Sequence, residues 1–139
     1  PIWPAVLEAS VQTVFCRSWG LAAEAVSEGA LGQGVTAVMP LRVGSQQLQA
    51  VLTLDKPLAD LVAQRLGAAP SQASEHAGEA TAECLNLLAG RLAGHVGPMT
   101  DLLLGIPSVR VPARSGRAIV SGAWQTGAGT ASMTVEVLP

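Results

Sequence analysis

Residues 74–93 leave this chain the least choice of structure. At about 100° per residue, Thr81, Leu85, Leu88 and Leu92 fall on one stripe, and Glu79, Glu83, Asn86 and Gly90 fall on nearly the opposite one. This is the pattern of a two-faced helix, whose apolar stripe must be covered by a second layer. Ser74 is the expected N-cap, with Glu75 and Glu79 suited to the positive end of the helix. Gly94, Gly97 and Pro98 are expected to terminate it. The exposed stripe then sets a carboxylate beside a primary amide.

Elsewhere the periodicity assigns the remaining elements. Residues 2–19 form an opening helix through Leu7, Val11, Val14 and Phe15, ended by Gly20. Residues 21–27 read as a short strand closed by Glu28 and Gly29. Gly34–Val43 alternates Val35, Ala37 and Met39 with polar or small neighbours, Gly44 and Ser45 supply a turn, and 48–54 alternates again, which makes a hairpin. Pro57 opens a second helix with Leu58, Leu61, Val62 and Leu66 on its apolar side, and Gly67 stops it. Residues 68–73 are a small loop carrying Pro70. Residues 99–111, interrupted at Gly105, Ile106 and Pro107, read as an apolar loop, and 114–117 as a polar turn. Residues 118–124 and 131–138 are the final strands. In the last one Met133, Val135 and Val137 alternate with Ser132, Thr134 and Glu136, giving one buried and one exposed face. Strands grouped apart from helices predict an α+β fold, an antiparallel sheet with helices packed on one face, in one domain over 1–139.

Composition narrows the function. Of 139 residues 49% are apolar and 13% charged, which excludes a disordered chain. No apolar stretch reaches bilayer-spanning length, so no membrane segment is expected, and no secretory signal pattern is readable. With a net charge of −2, a single lysine at Lys56 and only Arg110, Arg114 and Arg117 loosely grouped, nucleic acid is not the expected partner. Cys16 and Cys84 lie in expected helices and form no Cys-x-x-Cys pair. Two buried reduced thiols in a cytoplasmic protein are the expectation, with a single disulfide or a catalytic thiol as the alternatives. His76 and His95 are too far apart to share a metal, and no metal-ligand spacing occurs elsewhere. The glycines at 29, 32 and 34 precede a strand where a phosphate loop needs a helix. Cys84 and His76 lie on different sides of their helix, so no nucleophile–base pair is readable. Trp3, Trp19 and Trp124 are expected in the core or an interface.

Glu83 and Asn86 therefore carry the chemistry that the sequence offers, although spacing alone does not separate such a pair from an ordinary solvated face. An amide donates and accepts at once, so it can hold a water in line with an electrophile. A neighbouring carboxylate can pair with a partner's basic residue and fix the docking register. Neither is a strong nucleophile. The pair suits positioning on another protein's reaction centre.

The run from Glu79 through Glu83 to Asn86, followed by Gly90 and later by Gly105-Ile106-Pro107, resembles the CheX branch of the CheC/CheX/FliY phosphatases. Glu79, Glu83, Asn86 and Pro107 match that family's motif in turn, over a likeness that spans nearly the whole chain. Glu79 stands where Asp or Ser is more usual, and the gap from Asn86 to Pro107 is shorter than the family's. The resemblance implies a phosphatase acting on the aspartyl phosphate of a CheY-type response regulator. It makes Asn86 the residue that orients the attacking water and Glu83 the one that pairs with the receiver's lysine. Glu79, Gly90 and Pro107 become partner-binding positions. It also implies Mg²⁺ supplied by the receiver, no cofactor of this chain's own, and a homodimer, for which the alternating closing strand is the expected pairing edge. The alternative it leaves is a non-catalytic CheX-like binding or dimerisation module that docks receiver or switch proteins.

Overall fold

Cross-strand rows of small and large apolar residues organise the centre of the molecule. Met39, Ala50 and Val135 form one row and Ala37, Leu52 and Met133 the next, and all six are buried. They lie on β2 (Gly34–Val43), β3 (Gln46–Asp55) and β7 (Thr130–Val137). The computed structural model of the protein describes residues 2–27, 34–97, 100–112 and 116–139. The remaining strands are β1 (Glu24–Val26), β4 (Leu102–Leu104), β5 (Ser108–Val109) and β6 (Arg117–Gln125). The sheet runs β1-β6-β7-β3-β2-β4, with β5 also on β2, and every pairing among these strands is antiparallel. This is the α+β arrangement expected from the grouping of strands and helices.

Among the described residues, three α-helices supply the second layer: α1 (Trp3–Trp19), α2 (Lys56–Arg65) and α3 (Ala77–Val96). Helix α3 packs over β2 and β3, α1 packs against α3 and β6, and α2 packs against α3. Leu7, Val11, Val14 and Phe15 of α1 are buried, and Gly20 ends the helix in the left-handed conformation with its N–H on the Cys16 carbonyl. Thr81, Leu85, Leu88 and Leu92 of α3 are all buried. Each such leucine contributes about 1.5–3 kcal/mol of apolar burial, which fixes which face of α3 looks outward.

Several expectations are corrected. Ser74 does not cap α3. Residues Pro70–His76 form a 3₁₀ helix that runs into α3, and the Ala77 N–H bonds the Ser74 carbonyl, so the preceding turn supplies the acceptor that a side-chain cap would have given. The Ser74 hydroxyl instead accepts from Lys56 Nζ at 3.0 Å and donates toward the Asp60 carboxylate at 3.3 Å. Gly94 lies within α3, which ends at Gly97. The apolar stretch 99–111 is not all loop, because β4 and β5 satisfy the edge of the ten-residue β2. The strand expected over 21–27 is only three residues long.

The closing strand is no free edge either: β7 is enclosed between β6 and β3, and the outer strands are β1 and β4. Nor is its second face exposed throughout. Glu136 is 8% exposed and accepts a 2.5 Å hydrogen bond from Gln49, its cross-strand neighbour; a buried carboxylate is tolerated because a donor is supplied across the ladder. Of the two thiols, Cys84 is buried and Cys16 is exposed, on the outer side of α1. Expectations that fall on Glu28, Gly29, Gly32, Pro98 and Arg114 lie outside the described residues.

Candidate functional site

The outward face of α3 follows from its buried one. With Leu85, Leu88 and Leu92 turned to the sheet, Glu79, Glu83, Asn86 and Gly90 come out exposed along one line of the helix. Residues three or four apart on a helix stand about 5–6 Å apart at Cβ, so the Glu83 carboxylate and the Asn86 amide are immediate neighbours. No hydrogen bond or ion pair joins either to another described residue, which leaves both free for an outside group. Glu79 differs: its carboxylate lies 3.5 Å from His76 Nδ1, an ion pair only when the imidazole is protonated. Its side chain is 84% exposed, so the contact is worth little to stability.

Beneath this face lies Cys84, whose thiol burial pushes up to about 12, an effect that the Trp19 indole N–H opposes and the charge of Glu83 reinforces. That indole N–H is buried and meets no partner at normal hydrogen-bond geometry, so its influence on the sulfur is proximity rather than a formed bond. A thiol this protonated and this enclosed is neither nucleophile nor metal ligand at neutral pH.

Two hollows flank the polar line. One, of about 500 Å³, lies between α3 and the segment after α2, and its lining includes Leu66, Ala68, Gln72, His76, Glu79 and Glu83. The other, of about 530 Å³, follows the second half of α3 along Asn86, Gly90, Arg91, Gly94 and His95. Glu83 belongs to the first and Asn86 to the second, so the pair stands on the ground between them. The Leu66–Gln72 wall was missed in the sequence, since it exists only through the packing of α2 on α3.

Pro107 is not on this face. It is half-buried in the connection between β4 and β5, a segment that meets the first turn of α3 on its other flank. There the Val109 side chain lies so close to Gly78 that a Cβ at that position would stand 3.0 Å from it. The structure thus gathers Glu79, Glu83, Asn86 and Gly90 into one line and sets Pro107 on a neighbouring element. Among the described residues, no three His, Cys, Asp or Glu side chains cluster to hold a metal ion, and no helix is long and apolar enough to cross a membrane.

No family model matches the sequence, and no curated protein matches it. Solved structures do. The chemotaxis protein CheX from Vibrio vulnificus superposes with a TM-score of 0.78 at 17% identity, over 96% of this chain and 95% of that one. The chain has the CheX fold. CheX from Desulfovibrio desulfuricans gives 0.73 at 14% identity, covering 96% and 97% of the two chains. The CheX–CheY–BeF3–Mg²⁺ complex from Borrelia burgdorferi gives 0.71 at 13%, covering 97% of each. At these identities the likeness is one of fold. On that CheX fold, Glu79, Glu83, Asn86 and Gly90 occupy the exposed line of the longest helix, and Pro107 lies off it.

Proposed function

We propose that this protein is a phosphatase that docks on a phosphorylated CheY-type receiver domain and accelerates hydrolysis of its aspartyl phosphate. One observation carries the reading: on a CheX fold, the exposed line of α3 holds a carboxylate and an amide three residues apart with no partner within the described chain. A carboxylate and amide so free of internal bonds are available to another molecule's reaction centre.

In this reading α3 lies across the receiver's active site. Glu83 pairs with the receiver's lysine and fixes the position of the helix, as a charge-assisted hydrogen bond does. Asn86 then holds a water in line with phosphorus by accepting a hydrogen bond from it at the amide oxygen, and both of the water's protons stay with the phosphate that forms. The water's oxygen bonds to phosphorus while the bond from phosphorus to the aspartyl oxygen breaks. Inorganic phosphate leaves and the receiver's carboxylate is restored. The charge on the phosphoryl oxygens is met by Mg²⁺ from the receiver, and this chain contributes no cofactor. Such catalysis is alignment rather than covalent chemistry, so losing the aligning group costs about 10²-fold in rate. The reading puts the protein in the cytoplasm with its substrate, in a chemotaxis-type or other two-component pathway. It includes a homodimer formed along an outer strand, β1 or β4, rather than along β7.

The test is the phosphoryl lifetime of a receiver with and without this protein, and with Asn86→Ala. Acceleration by the parent and its collapse in the variant are expected. Binding that requires Glu83 but leaves the lifetime unchanged would instead make the protein a docking module.

A further inference from the structure

We infer that the hollow between the end of α2 and α3 is a second contact for the partner docked on the α3 face, and that it takes one long cationic side chain, an arginine or a lysine. This rests on the docking proposed above and adds what would make one receiver preferred over another. The hollow is about 500 Å³, ample for a single extended side chain. The wall from the segment after α2 is apolar at Leu66 and Ala68, with Leu66 itself 48% exposed. The α3 wall carries Ala80 and the Glu79 and Glu83 side chains, with His76 beside Glu79 at 3.5 Å.

That combination selects the occupant. An acidic group would meet two like charges, and a purely aliphatic one would leave Glu83 without a counter-charge and Glu79 with only His76, at 3.5 Å. A lysine or arginine satisfies both walls, with its methylenes along Leu66 and the alanines and its head on the carboxylates. Among the described residues, no lysine or arginine lines the hollow. Arg65, next to Leu66 in sequence, donates its Nε to the Trp19 carbonyl at 3.2 Å and is committed there. Glu83 is common to this hollow and to the docking pair, so the two contacts form one continuous surface.

Two exposed positions test it without touching the docking pair. Leu66→Trp closes the mouth, and Gln72→Lys puts a competing ammonium on the wall. Kinetics of receiver dephosphorylation are measured for the parent and both variants, with thermal unfolding alongside. Each variant is expected to melt as the parent does and to raise KM tenfold or more while kcat stays within twofold. For Gln72→Lys the loss should shrink as salt rises, whereas for Leu66→Trp it should not. If the parent accelerates hydrolysis and both variants keep its KM within twofold, the hollow is no contact and the phosphatase reading stands alone. If the parent accelerates no receiver, the docking and this contact fall together.

Discussion

Asp55 is the last residue of β3, and its carboxylate holds two elements at once. Oδ1 accepts from the Leu58 N–H at 3.1 Å, capping α2, and Oδ2 accepts from the Thr130 N–H at 2.7 Å at the start of β7. Gly129 closes on the same carboxylate so tightly that a Cβ there would overlap it. Removing the group with Asp55→Ala forfeits about 1 kcal/mol for the cap and about 1.5–3 kcal/mol for the charge-assisted bond, together about 2.5–4 kcal/mol. At about 3 °C per kcal/mol for a chain of this length, the midpoint falls by about 8–12 °C. Asp55→Asn supplies one carbonyl oxygen for two N–H donors, so about half the loss should return. Urea unfolding of the three proteins checks this. A loss below about 0.5 kcal/mol in Asp55→Ala would refute the reasoning, because it would mean that water replaces both bonds at no cost.

Three further outcomes follow from the packing. Cys84 ionises at about 12 when folded against 9.0 ordinarily, so the unfolded thiol releases its proton first. Its contribution is complete below pH 9 and is lost as pH rises through about 12, with a slope of about 1.4 kcal/mol per pH unit in between. Because the chain has no tyrosine, and Lys56 is its single lysine, urea unfolding of the parent and Cys84→Ala across pH 8–11 should resolve this; equal slopes would contradict it. Glu8 accepts from Trp124 Nε1 at 2.6 Å and from Gln12 Nε2 at 3.0 Å. Glu8→Ala should cost about 1.5–3 kcal/mol and change the tryptophan emission, and an unchanged denaturation midpoint would count against that bond. Leu88 is fully buried under the polar face; Leu88→Ala should cost about 2–5 kcal/mol by denaturant unfolding, while the exposed Asn86→Ala stays within about 0.5 kcal/mol.

The outward line of α3 was legible because its buried and exposed stripes differ in residue type at a single periodicity. Glu83 and Asn86 therefore fell where the spacing put them. The hairpin of β2 and β3 was legible for the same reason at period two. What escaped depends on partners distant in sequence. The strands β4 and β5 exist because an edge of β2 needs hydrogen bonds, which the composition of 99–111 does not announce. Glu136 is buried because Gln49 meets it across the ladder, and its own strand gives no sign of that. Ser74 has the right residue type for a cap, yet the 3₁₀ turn begun by Pro70 supplies that bond from the backbone. The hollow beside Glu83 is made by α2 and α3 together, so no local pattern could reveal it.

Catalysis by Asn86 is separable from docking by a single pair of measurements. A receiver activated with beryllofluoride should bind the parent and Asn86→Ala with affinities within a few fold. The same receiver, phosphorylated and saturated with each protein, should lose its phosphoryl group about 10²-fold more slowly with Asn86→Ala than with the parent. Equal phosphoryl lifetimes in the two saturated complexes would contradict a catalytic role for Asn86.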